Sequence, residues 1–115
     1  MTPVVSMICL TDRPKHRDLF LAAMSLQTVT NWEVLLLDQR PVAERFHMAY
    51  ADERIRWKPV PRHDDWGQTE KMKAVAEAQG AFIGFPNDDG YYAPIYLEAM
   101  VWTAQVHSAD LVYCD

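Results

Sequence analysis

Apolar residues along this chain follow two periods, and segments of the two kinds alternate. Residues 4–11 (VVSMICLT) and Trp32–Asp38 (WEVLLLD) are runs of strand length, rich in branched and aliphatic side chains. The second is apolar enough to predict cover on both of its faces. Between them Leu19, Ala22, Ala23 and Leu26 fall at i, i+3, i+4 and i+7, the spacing of one buried helical face. Pro14, after Asp12 and Arg13, suits the first position of that helix. Residues 41–50 have room for a short helix. Residues 54–60 (RIRWKPV) alternate as a third strand, with Pro59 placing it near an edge or an end. Residues 68–79 predict a helix with Met72, Val75, Ala76 and Gln79 on one face and Gly80 as its stop. Residues 81–85 (AFIGF) predict a fourth strand. Pro94 opens a third helix with Leu97, Met100, Val101 and Ala104 turned inward, and residues 110–115 (DLVYCD) predict a fifth strand.

Strands alternating with helices imply right-handed βαβ units and a mainly parallel sheet of four or five strands. No repeat, low-complexity tract or linker divides the chain, so residues 1–115 read as one α/β domain. In such sheets ligands bind beyond the carboxyl ends of the strands. Three polar clusters are thereby sent to one rim: Thr11-Asp12-Arg13, Asp38-Gln39-Arg40 and Asn87-Asp88-Asp89.

Composition narrows the class. A chain of 115 residues, half of them hydrophobic and 23% charged, suits a globular domain with a real core. A formal net charge of −5 argues against a general nucleic-acid binder, which needs a basic face. No apolar run approaches a membrane span, and the start MTPVV lacks a signal-peptide pattern. Cys9 and Cys114 sit in apolar segments and read as buried thiols of a reduced, cytoplasmic protein.

The pair Asp88–Asp89 carries the chemistry. Two unit charges ~4 Å apart interact by about 1 kcal/mol in water and about 4 at an effective dielectric near 20. Stability alone gives little reason to place two carboxylates together at a strand end. Two readings are open: a solvated Asn-Asp-Asp-Gly turn, or half of a site for a hard divalent cation whose other ligands are phosphate oxygens. Beside a diphosphate the acids demand such a cation, because otherwise they repel it.

The wider sequence resembles the inverting family 2 glycosyltransferases of GT-A fold. The segments that carry the likeness are PVVSMICLTDRP, MSLQTVTNWEVLLLD and GQTEKMKAVAEAQGAFIGFPNDDGYYAPIYLEAM, in that order along the chain. The resemblance implies a Rossmann-like three-layer α/β/α architecture truncated after the acidic, DXD-like metal motif. It implies binding of a nucleoside diphosphate or nucleotide sugar, UDP- or GDP-type, with Mn²⁺ or Mg²⁺. Under it, Asp38 serves the base, Gln39 beside it belongs to the nucleotide-binding set, and Thr11, Asp12 and Arg13 line the base and phosphate pocket. Asp88 lies near the ribose or metal, and Asp89 holds the metal. Lys71, in the first turn of the second helix, faces the phosphates or is a solvated lysine. Asn87 stands where many relatives have another Asp. The family's catalytic base comes well after the metal motif; neither Asp110 nor Asp115 is marked as that base, so the catalytic residue is unknown. The chain reads as a donor-binding half that transfers or hydrolyses the sugar, or as a non-catalytic nucleotide-binding or interaction module.

Other features weigh less. His63, Asp64 and Asp65 are adjacent in sequence and read as a polar loop before the helix, able to close over a nucleotide with Trp66 as its apolar anchor. His16, His47 and His107 have no ligand spacing, and Tyr91, Tyr92 and Tyr96 read as packing at a helix start rather than a sugar platform. The four glycines form no phosphate loop. A phosphorylation receiver would carry its acid pair after the first strand, not the fourth. An uncovered last strand, with Trp102 and Val106, predicts a homodimer or higher oligomer.

Overall fold

The structure, a computed structural model, describes residues 2–39, 52–62 and 64–112. It is an α/β fold with a four-stranded, all-parallel sheet and three helices, compatible with a Rossmann-like fold. The chain runs β1 (Val5–Thr11), α1 (Pro14–Ser25), β2 (Trp32–Asp38), β3 (Ile55–Pro59), α2 (Gln68–Glu77), β4 (Phe82–Gly84) and α3 (Tyr96–Val106). The sheet order is β3-β2-β1-β4. After β3 the chain therefore crosses to the far side of β1, and the winding reverses between β1 and β4.

Register follows from side-chain alternation. β1 and β2 pair from Val5↔Trp32 to Thr11↔Asp38, and β2 pairs with β3 up to Asp38↔Pro59. All seven residues of β2 are buried, as its apolar run predicts. Met7, Cys9, Val34 and Leu36 pack with Phe20, Leu21 and Met24 of α1 and Leu97 of α3. Ile8, Leu35 and Leu37 form a second cluster with Val60 and Ala74 of α2.

Two helical faces differ from the expected ones. In α1 the buried residues are Arg17, Phe20, Leu21 and Met24, whereas Leu19 and Leu26 are 70% and 68% exposed. The i, i+3, i+4, i+7 template holds, but its first member is a charged residue. In α2, Glu70 and Ala74 are buried while Met72 is 65% exposed, and the helix ends at Glu77 rather than residue 79. The third helix keeps its expected stripe, with Leu97 and Ala104 buried and Met100 and Val101 half-buried.

The expected fifth strand is absent among the described residues: 110–112 are not in a strand, and 113–115, with Cys114, lie outside them. The helix expected over 41–50, with His47, and the residues Arg40 and His63 also fall outside the described residues. Gly80 does more than stop a helix. A Cβ there would lie 2.6 Å from the Ser6 nitrogen and 2.8 Å from the Val5 carbonyl carbon, so the chain passes hard against β1.

At the amino ends of the strands, buried Glu33 accepts hydrogen bonds from Ser6 Oγ (2.5 Å), the Gln79 amide (2.7 Å) and Arg56 (2.9 Å). Burial pushes this carboxyl up, but the three donors and the Arg56 charge outweigh it and leave the pKa below its usual 4.5. A depressed folded-state value contributes stability that is present above the usual carboxylate range and lost as pH falls through the folded value. The stability difference between wild type and Glu33→Gln is therefore expected to be largest at pH 7 and to shrink on acidification below about pH 4.5, read from urea midpoints. A difference that stays constant down to pH 3 would refute the assignment.

Candidate functional site

β1 and β2 end on the same rung, so Thr11 and Asp38 reach the rim together. The ladder runs one step further, with the Gln39 amide donating to the Thr11 carbonyl (2.9 Å) and the Val60 amide to the Asp38 carbonyl (3.0 Å). Onto this rim the loop after β4 delivers Asp88. Thr11 Oγ1 donates to Asp88 Oδ2 at 2.8 Å, and the Arg13 guanidinium donates to Asp88 Oδ1. Residues 77 positions apart thus form a buried clasp.

Arg13 sits among three carboxylates. Besides Asp88 it lies 3.6 Å from Asp89 and 4.0 Å from Asp12. The Asp88 hydrogen bond, and then the charges of the three acids, raise its pKa above the ordinary arginine value. Asp12 also binds Arg62 at 2.7 Å. Asp88 is 6% exposed and Asp89 51%, so the adjacent acids live in different surroundings. One is committed to the fold and the other faces solvent.

The acidic turn is braced from below. Tyr92 Oη accepts from the Asn87 amide (2.9 Å) and donates to the Asn87 carbonyl (3.2 Å). The Tyr92 ring meets Phe20 and Tyr96 edge-on, at 5.9 and 4.9 Å between centroids. Tyr92 and Tyr96 are packing residues, as their position at a helix start suggests, while Tyr91 is exposed.

Asp38 is fully buried. Trp57 Nε1 donates to its Oδ2 at 2.9 Å, and Arg17, itself 2% exposed, lies 3.5 Å from the same oxygen. Gln39 is half-buried and lines a separate cleft. Lys71 is half-buried near the start of α2, and among the described residues it makes no ion pair with Asp88 or Asp89. Its charge is nevertheless felt at Cys9, opposing the burial, and the Asp88 charge, that push that thiol up to about 12. Asp65, two residues before the helix N-cap Gly67, accepts from the Thr69 amide at 2.9 Å, which fits a polar loop before the helix. Asp110 is exposed on the lip of an apolar trough.

Thr11, Asp12, Arg13, Asp88 and Asp89 are thus brought together, Asp38 lies buried alongside, and Gln39 and Lys71 stand apart from the cluster. Arg17 and Trp57 are the site residues that sequence reasoning missed. The only signal for Arg17 is its place at the head of the Phe20, Leu21, Met24 stripe.

Among the described residues no group of three or more His, Cys, Asp or Glu side chains is arranged to hold a metal ion. Two adjacent carboxylates do not make a closed structural site. Both Asp88 oxygens are already engaged, by Thr11 and Arg13, and Arg13 also lies 3.6 Å from Asp89. A hard cation that takes one or two carboxylates and completes its shell with phosphate oxygens and water therefore has to share these acids with the guanidinium or displace it.

Along the edge of β4 away from β1 runs a trough of about 620 Å³, lined by Met7, Phe82, Tyr96, Met100, Val101 and Leu111, among others. No helix among the described residues is long and apolar enough to cross a membrane. Compared with protein-family models and with curated proteins, the chain matches none of them.

Proposed function

We propose that this chain is a GT-A-like, three-layer α/β/α donor-binding module of a cytoplasmic glycosyltransferase type, which binds a nucleoside diphosphate or nucleotide sugar through a divalent cation. The observation that carries the reading is the clasp of Asp88 to Thr11 and Arg13. It joins the acidic turn to the end of β1, beside the point where the winding of the sheet reverses, where open parallel sheets hold their ligands.

In this reading Asp89, the exposed acid, and Asp88 hold Mn²⁺ or Mg²⁺. The cation, when bound, supplies positive charge to the diphosphate. Thr11, Asp12 and Arg13 line the phosphate pocket, with Lys71 adding positive potential from α2. Asp38 and Gln39 serve the base side. Transfer or hydrolysis of the sugar needs a base for the attacking hydroxyl, and no residue here is assigned that role.

Calorimetric titration of UDP, GDP, CDP and ADP, each with Mn²⁺ and again with chelator, tests the reading. Metal-dependent binding of one nucleotide is the expected result. Silence across the whole panel would overturn it. Turnover of the matching nucleotide sugar would then separate an enzyme from a binding module.

A second reading is favoured by the exposure of Trp102 (59%) and Val106 (55%) on a face of α3 outside the trough lining, and of Leu111 (80%) on the trough itself. Under it the chain is a non-catalytic module that associates with a second copy of itself across this face, in a homodimer or higher oligomer. Sedimentation of wild type as a dimer and of Trp102→Glu as a monomer is expected. A wild-type monomer at high micromolar concentration would remove this reading.

A further inference from the structure

Trp66 carries a cost that folding does not explain. It is 91% exposed, so the largest apolar side chain of its loop gains little from burial. Its backbone stands at φ 59, a left-handed conformation that bulky residues seldom adopt, and Gly67 follows at φ 81.

The surroundings hold this turn rigidly. The Asp65 carboxylate accepts from the Gly67 amide (3.1 Å) and the Thr69 amide (2.9 Å), and from the Thr69 hydroxyl. Gly67 is buried against the end of β1, where a Cβ would lie 2.3 Å from Leu10 Cδ2. The indole is therefore presented from a fixed turn.

What it overlooks is a cleft of about 400 Å³ lined by Leu10, Gln39, Arg62, Asp64, Trp66 and Gly67. The volume lies in the range of small-molecule sites, and the lining combines an apolar wall with a few polar groups. The cleft also adjoins the acidic cluster, since Arg62 on its wall binds Asp12 at 2.7 Å, and Asp12 lies beside Arg13. A planar ring with an attached anion matches this arrangement. The ring would lie between indole and Leu10, and the anion would extend past Arg62 toward Arg13.

The geometry points to Trp66 as the stacking platform for the nucleobase, with Gln39 at the base edge; this inference rests on the donor-site reading above. Stacking tolerates any base, because every base has a π-face. Choice between bases therefore falls to Gln39, whose amide offers both a donor and an acceptor.

The test uses whichever nucleoside diphosphate binds best, together with ribose 5-diphosphate, which lacks the base. Trp66→Ala is expected to weaken the nucleotide on the order of 10- to 100-fold, with Trp66→Phe restoring most of the affinity. Ribose 5-diphosphate is expected to bind wild type and Trp66→Ala alike, and the urea midpoint to move little. Equal nucleotide affinity in wild type and Trp66→Ala would overturn the stacking role while leaving the donor site standing. So would a parallel loss for ribose 5-diphosphate, which would mean that the substitution disturbs the loop. Wild type that binds no nucleotide at all would overturn both.

Discussion

Asp38→Ala is expected to destabilise the fold by about 3–5 kcal/mol, the usual consequence of removing one member of a buried ion pair. The Asp38 carboxylate is inaccessible to solvent, and Arg17 is 2% exposed. Without Asp38 the guanidinium keeps its charge on the buried face of α1, with Asp18 beside it at 3.1 Å. The Trp57 indole N–H also loses its acceptor, a further desolvated donor. Against total stabilities of roughly 5–15 kcal/mol this is a large fraction. Urea unfolding of wild type, Asp38→Ala, Arg17→Met and the double variant closes a mutant cycle. The double variant should recover much of the loss, because the uncompensated charge is gone with its partner. A single-variant loss below about 1 kcal/mol would show that water reaches the pair.

Asp89→Ala is expected to abolish the metal dependence of nucleotide binding without abolishing metal-free binding. Asp89 is the more exposed acid, and it lies 3.6 Å from Arg13. Its removal takes away a cation ligand and at the same time leaves Arg13 with one fewer carboxylate to neutralise. Mn²⁺ should then add little affinity, while binding in chelator should hold or rise. A uniform fall in both arms would mark Asp89 as merely structural. Wild-type dependence on Mn²⁺ would remove it from the cation site. Asp88 is the poorer choice for this experiment, because Thr11 and Arg13 both depend on it for the clasp.

Much of this organisation is legible in the chain because it rests on local period. The β2 run is apolar at nearly every position and is buried throughout, and Pro14 opens α1 as its fixed φ suggests. What escaped notice depends on partners distant in sequence. A period-3.6 template discards Arg17 as polar, since the carboxylate that makes its burial tolerable lies 21 residues away. The face actually buried, Phe20, Leu21 and Met24, packs into the core beside that pair. Glu70 was missed for a different reason: it is a charged residue buried in α2 although its neighbour Lys73, three residues on, lies 3.4 Å from it. Composition likewise reads residues 110–115 as a strand; of these, 110–112 lie along the β4 trough without joining the sheet. Of the site, the convergence of Thr11, Asp12, Arg13, Asp88 and Asp89 was legible from the strand-end rule. The closed state of Asp38 was not, because it depends on Trp57 from a neighbouring strand.

β4 is only three residues long and pairs with β1 no further than Met7↔Gly84, whereas β1 and β2 remain paired to their last residues. One side of the rim is therefore part of a continuous lattice, and the other is a short tether whose far end is held by the side chains of Thr11, Arg13 and Tyr92. Any molecule that spans both sides must draw the tether tight. The stiffness of that short segment, more than the number of contacts around it, then sets how much affinity the rim can deliver.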